Sequence, residues 1–136
     1  MIRSKRSLRN SSKRSSRQLL GSCSGEILGE ASFKLELLKE IYRADRRRRG
    51  REFGLVQLKF RSTTSEEFAN SEAFLMCCKR LRITDSVGWY ETRVAFLLPE
   101  TDKDGTLAFA NDITRLCIDA GFDVDSDVSM YPLDDD

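Results

Sequence analysis

The chain has 136 residues, 40% of them hydrophobic, and a formal net charge of +1. That length supports one domain plus a tail, and no stretch approaches the roughly 20 uninterrupted apolar residues of a membrane span. The basic N-terminus runs into serines rather than an apolar signal segment, so the expected location is cytoplasmic, with peripheral contact to the inner membrane as an option. Histidine is absent, and Cys23, Cys77, Cys78 and Cys117 have no metal-ligand spacing. No metal or cofactor is expected, and the cysteines read as small hydrophobes.

The small net charge conceals a polarity along the chain. The first 18 residues, MIRSKRSLRNSSKRSSRQ, carry seven basic residues and no acid, whereas Asp119 to Asp136 carries seven aspartates and no base. Residues 1–30 therefore read as a disordered basic Ser/Arg-rich leader, 31–133 as the folded domain and 134–136 as an acidic tail. The leader is either a solvated tail or a polybasic contact for an anionic membrane surface. Nucleic acid is the less favoured partner.

From Ser32 the pattern becomes periodic. Phe33, Leu37, Leu38, Ile41 and Tyr42 recur at helical spacing and predict a buried face, with Gly50 as the left-handed cap after an arginine run that suits the helix's negative end. FGLVQLKF is too apolar for an exposed strand and too short for a helix, which predicts a central strand. Thr64-x-x-Glu67 matches a capping box and opens a helix to about Arg82, with Phe68, Leu75, Cys78 and Leu81 inward.

Two strands follow, Ser86–Tyr90 and Arg93–Leu98, joined so tightly that they must form an antiparallel hairpin. Thr101 is the expected cap of a helix with Leu107, Ala110, Ile113, Cys117 and Ala120 on one face and Gly121 at its end. The last strand lies within Phe122–Tyr131. After the leading helix the order is β-α-β-β-α-β, which predicts an α+β, ferredoxin-like or nucleotidyl-cyclase-like fold with helices covering one face of an antiparallel sheet.

The stretches RRRGREFGLVQLKF and LRITDSVGWYETRVAFLLPETDKDGTLAFANDI resemble the GGDEF domain of bacterial diguanylate cyclases. In active members, the resemblance implies, an aspartate ending the first strand and acidic residues on the hairpin hold divalent metal that neutralises a triphosphate. This chain departs at those positions. The signature turn is reduced to Glu91, Thr92, Arg93 and Val94, and Lys59 or Arg61, depending on register, stands where the metal carboxylates are lost. The expectation is a chain without cyclase activity.

Arg82-Ile83-Thr84-Asp85 fits the Arg-x-x-Asp of the family's cyclic-di-GMP inhibitory site, and Arg82 with Asp85 reads either as that binding pair or as a helix-ending arginine and a turn aspartate. The texture VGWYETRVAFLLPETDKDG with the terminal SMYP looks like the degenerate GGDEF-like segment ahead of bacterial polyprenyl-phosphate sugar-1-phosphate transferases of exopolysaccharide synthesis. This resemblance implies a non-catalytic regulatory or interaction module, partnered by a sugar transferase or by another copy of itself. The alternatives are a cyclic-di-GMP receptor and a fragment or relative of a galactosyl or glucosyl phosphate transferase.

Overall fold

The computed structural model describes residues 27–46 and 52–132. The basic leader up to residue 26, the Gly50 cap and the acidic tail lie outside the described residues. The elements are α1 (Glu30–Arg46), β1 (Phe53–Phe60), α2 (Ser65–Ala69), α3 (Glu72–Cys78), β2 (Ser86–Tyr90), β3 (Arg93–Leu98), α4 (Lys103–Asp119) and β4 (Val124–Tyr131). The four strands form one antiparallel sheet in the order β2-β3-β1-β4, as the split β-α-β pattern predicts.

The sheet alternates its side chains between two faces. Val56 and Leu58 of β1, Val94, Phe96 and Leu98 of β3 and Val124 of β4 pack under α2, α3 and α4 with Phe68, Phe74, Cys77, Cys78, Ala110, Ile113 and Cys117. The opposite residues, Phe53, Leu55, Ala95 and Leu97, pack against Phe33 of α1, with Leu37, Ile41 and Ala44 along its length. The helices of the β-α-β-β-α-β unit therefore cover one face, as the ferredoxin-like pattern predicts, and the leading helix covers the other. The leading helix is the second layer, because β1 and β3 are apolar on both sides and leave a second surface to bury.

Two glycines let the layers close. A Cβ on Gly54 would lie 2.1 Å from Thr106 Oγ1, and one on Gly88 would lie 2.6 Å from the Phe33 ring. Thr106 is fully buried and its hydroxyl donates to the Asp102 carbonyl at 2.9 Å, so α4 sits on β1 through backbone rather than through a long side chain. Phe33 is likewise fully buried on β2, a placement that contributes about 1.5–3 kcal/mol.

Several local expectations are corrected. Leu38 and Tyr42 of α1 are 55% and 70% exposed, because the sheet meets only the narrower stripe of Phe33, Leu37, Ile41 and Ala44. The helix expected over 64–82 breaks at Asn70, and Ser71 starts α3 by accepting the Phe74 N–H at 3.3 Å. That restart shifts the phase, so Leu75 is 44% exposed and Ala73, Phe74, Cys77 and Cys78 turn inward. The Thr64–Glu67 capping box forms. Asp102 caps α4, not Thr101; its carboxylate accepts the Gly105 N–H at 2.8 Å, and Leu107 and Ala120 turn outward while the inward face begins at Thr106.

The described cysteines are buried and form no disulfide, with the Cys77 and Cys117 sulfurs 3.9 Å apart. The neighbouring Cys117 sulfur, together with burial, pushes the Cys77 thiol up, which suits a core residue and not a nucleophile.

Gly54→Ala should destabilise the fold by about 1–3 kcal/mol in urea melts, since the new methyl overlaps a fully buried threonine. Adding Thr106→Ala should recover part of the loss. Equal stability of Gly54→Ala and the parent would contradict the close packing of α4 on β1.

Candidate functional site

The candidate site lies where the end of β1 meets the β2–β3 hairpin. Gln57 pairs with Ala95 of β3 on one side and with Asp127 of β4 on the other, so Gln57, Lys59 and Arg61 run along the same sheet face as Arg93, Asp125 and Asp127. This is the face that carries α1. The helix starts beside the hairpin, where Leu28 bridges Gly88 and the Glu30 carboxylate accepts the Glu91 N–H at 3.2 Å. Its other end reaches the start of β1, where the Tyr131 hydroxyl donates to Asp45 at 2.8 Å and the Tyr131 ring stacks on Phe53. The corner carrying Lys59 and Arg61 lies beyond the stripe that α1 covers.

That corner is laced with ion pairs. Arg61 donates to Asp123 at 2.7 Å through Nη2 and at 3.1 Å through Nε, and its Nη1 bonds Asp125. The Asp123 carboxylate first, and Asp125 next, hold the Arg61 guanidinium above its usual pKa, so its charge is permanent. Arg93 on β3 reaches Asp127 on β4 at 3.1 Å. Because β1 lies between those strands, this pair spans the sheet at Gln57, whose Oε1 is buried with no hydrogen-bond partner. Lys59 is exposed on the same face.

The corner thus brings together three cations, Lys59, Arg61 and Arg93, and three carboxylates, Asp123, Asp125 and Asp127. Of these, the sequence singled out the cations and missed the aspartates. Their spacing at 123, 125 and 127 puts them on one face of a strand, which was legible; that this strand lies beside β1 was not.

The hairpin turn itself is two residues long, since Tyr90 pairs with Arg93. Glu91 and Thr92 take φ values of 52° and 66°, the left-handed pattern of a type I′ turn, which favours glycine and asparagine. The turn therefore adopts the tight geometry with side chains that are strained there. Glu91 and Thr92 are exposed, and Val94 is fully buried in the core.

Arg82 and Asp85 come together in the short connection between α3 and β2. Asp85 is only 7% exposed, and its carboxylate accepts the Arg82 backbone N–H at 2.7 Å, Arg82 Nε at 3.2 Å and Nη2 at 2.8 Å. The same Nη2 lies 2.8 Å from both the Pro99 carbonyl and Thr101 Oγ1. Asp85 raises the Arg82 pKa against the opposing effect of burial. Arg82 thereby fastens the turn before β2 to the segment between β3 and α4, and Thr101, read from sequence as a helix cap, serves as an acceptor in this knot.

Among the described residues no group of histidine, cysteine or carboxylate side chains has a metal-binding arrangement, and no helix is long and apolar enough to cross a membrane.

No family model matches the chain, and no curated protein matches it by sequence. Solved structures do. A DGC protein from Thermotoga maritima superposes with a TM-score of 0.67 at 18% identity, over 79% of this chain and 84% of that one. The GGDEF domain of TpbB (YfiN) from Pseudomonas aeruginosa gives 0.62 at 15% identity, over 78% and 72%. The diguanylate cyclase SiaD from Pseudomonas aeruginosa, solved in complex with its activator SiaC, gives 0.54 at 14% identity, over 90% of this chain and 56% of that one. At such identities the likeness is one of architecture, and this chain has the fold of a GGDEF domain.

Proposed function

We propose that the chain is a non-catalytic module of GGDEF-like fold that acts by binding another protein, with a sugar-1-phosphate transferase of exopolysaccharide synthesis as the partner class that its sequence texture implies. The observation that carries this reading is the ion-paired corner at the end of β1. Where a cyclase needs free carboxylates, Lys59 and Arg61 project, and the aspartates that reach the corner from β4 are bonded to Arg61 and Arg93.

A hard divalent cation requires several oxygen ligands. Each unit positive charge fixed at about 4 Å opposes another by roughly 4 kcal/mol at an effective dielectric of 20, and the penalty doubles for a divalent ion. Freeing Asp127 for the metal would also break its ion pair with Arg93, and freeing Asp123 or Asp125 would take one of the two carboxylates from Arg61. The activator complex of SiaD shows a protein of this fold engaged by a protein partner, which is the kind of role retained here after the chemistry is gone.

The purified chain with GTP and magnesium or manganese should form no cyclic-di-GMP above a protein-free control. Affinity capture with the sugar-1-phosphate transferase encoded nearest its gene should retain that enzyme. Measurable cyclase turnover sinks the non-catalytic reading, and failure to retain the transferase removes only the partner assignment.

Within this reading Arg82 and Asp85 act as a structural clamp. Asp85→Asn should cost about 2–4 kcal/mol in a denaturant melt, because it removes the charge from a buried carboxylate that accepts several bonds from Arg82. Calorimetry should detect no cyclic-di-GMP binding at about 100 μM, equivalent to roughly −5.5 kcal/mol, since Nε and Nη2 of Arg82 are already engaged. Binding that disappears in Arg82→Ala would replace the clamp with a receptor site.

A further inference from the structure

Cys77, Cys78 and Cys117 all lie in the core formed by the sheet with α2, α3 and α4. Two of them meet. Cys77 near the end of α3 and Cys117 near the end of α4 are fully buried, and their sulfurs touch at 3.9 Å, with the Ile113 carbonyl 4.0 Å from the Cys77 sulfur. Bridging the pair calls for an approach of about 1.9 Å, to the roughly 2.0 Å of a disulfide. Cys78 stands about 100° further round α3.

The segment that must move is short. α3 has seven residues, begins after the break at Asn70 and ends at Cys78. Its outward residues Leu75 and Met76 are exposed, and just beyond its end Arg80 pairs with Asp112 of α4 at 3.1 Å. That pair is itself half-exposed and contributes little to holding the two helices together. Local opening of so short an element gives a small oxidant access to the sulfurs.

The two thiols are also unequal. The hydrogen bond from Cys77 holds the Cys117 thiol below its usual range, against the effect of burial, and the same contact keeps Cys77 protonated. In the reduced protein Cys117 is therefore the sulfur that offers a thiolate. We propose that Cys77 and Cys117 form a reversible oxidation site, which a peroxide converts into a disulfide joining α3 to α4. In the first step the Cys117 thiolate attacks one oxygen of hydrogen peroxide, the O–O bond breaks, and Cys117 sulfenic acid and one water result. Cys77 no longer faces a thiolate. Its sulfur then bonds to the Cys117 sulfur and displaces the hydroxyl group, which leaves with the Cys77 proton as a second water. The two thiols lose two electrons and two protons, the peroxide is reduced to two waters, and a dithiol reverses the change. The new bond encloses the β2–β3 hairpin together with Arg82 and Asp85, so the oxidised fold resists unfolding across that whole stretch.

The test uses the full chain. After a small excess of hydrogen peroxide it is unfolded, its remaining thiols are capped with N-ethylmaleimide, and it is cut with trypsin. Residues 62–79, which hold Cys77 and Cys78, should be linked to residues 116–136, with the maleimide on Cys78, and a dithiol should undo the link. The melting temperature of the linked protein should stand about 10 °C above that of the reduced one. Capping of all four cysteines after peroxide overturns the proposal, as does sulfinic acid at Cys117 without a link. A link through Cys23 or Cys78, or the same mixture of pairings that the urea-unfolded chain gives, overturns it too. So does a linked protein that melts no higher than the reduced one.

Discussion

The structure depends on one strand that must be buried on both sides. β1 is hydrogen-bonded to β3 and β4 and apolar on both faces through Phe53, Leu55, Val56 and Leu58. A strand of that kind is stable only between two layers, and the chain supplies them from opposite directions in sequence. α4 comes down on Gly54 through Thr106, and α1 comes down on the other face with Phe33 against Gly88. The contacts are close because glycine stands at both crossings. The hairpin, the corner at Lys59 and the Arg82 knot all take their positions from this three-layer stack.

The same arrangement decides what the corner can do. α1 covers the sheet from the hairpin to Phe53, so the α1-side residues at the end of β1 lie past its apolar stripe. In a charge-balanced setting such residues find partners across the strands, and here Arg61 and Arg93 meet Asp125 and Asp127 of β4 and Asp123 just before it. Individually these exposed pairs contribute little to stability, about 0–1 kcal/mol each. Their consequence is chemical: one oxygen of each of Asp123, Asp125 and Asp127 is bonded to a guanidinium group. The pair from Arg93 to Asp127 also crosses over Gln57.

Arg82 and Asp85 show how one short motif supports different roles according to its surroundings. As a pair of residues three apart after a helix they look available to a ligand. In the fold the carboxylate is buried and the guanidinium also reaches Pro99 and Thr101, two segments away in the chain. Ile83, between them, is 80% exposed, so the turn projects outward while Asp85 is buried beneath it and Arg82 lies at the surface.

The sequence by itself determined the element order, the hairpin and the antiparallel sheet, because apolar periodicity, a capping box and a two-residue connection are local signals. Side-chain charge needs no coordinates to be read, so Lys59 and Arg61 at the end of β1 and the short turn at Glu91 and Thr92 were legible as well. Tertiary structure alone decided which face α1 covers, that the helix after β1 breaks and turns Leu75 outward, and that Asp102 rather than Thr101 caps α4. It alone set the register of β4 beside β1 and so brought Asp123, Asp125 and Asp127 to the arginines. The reason is the same in each case: strand neighbours, helix phase after a break and the partner of a charged side chain depend on residues distant in the chain, and a local pattern carries no information about them.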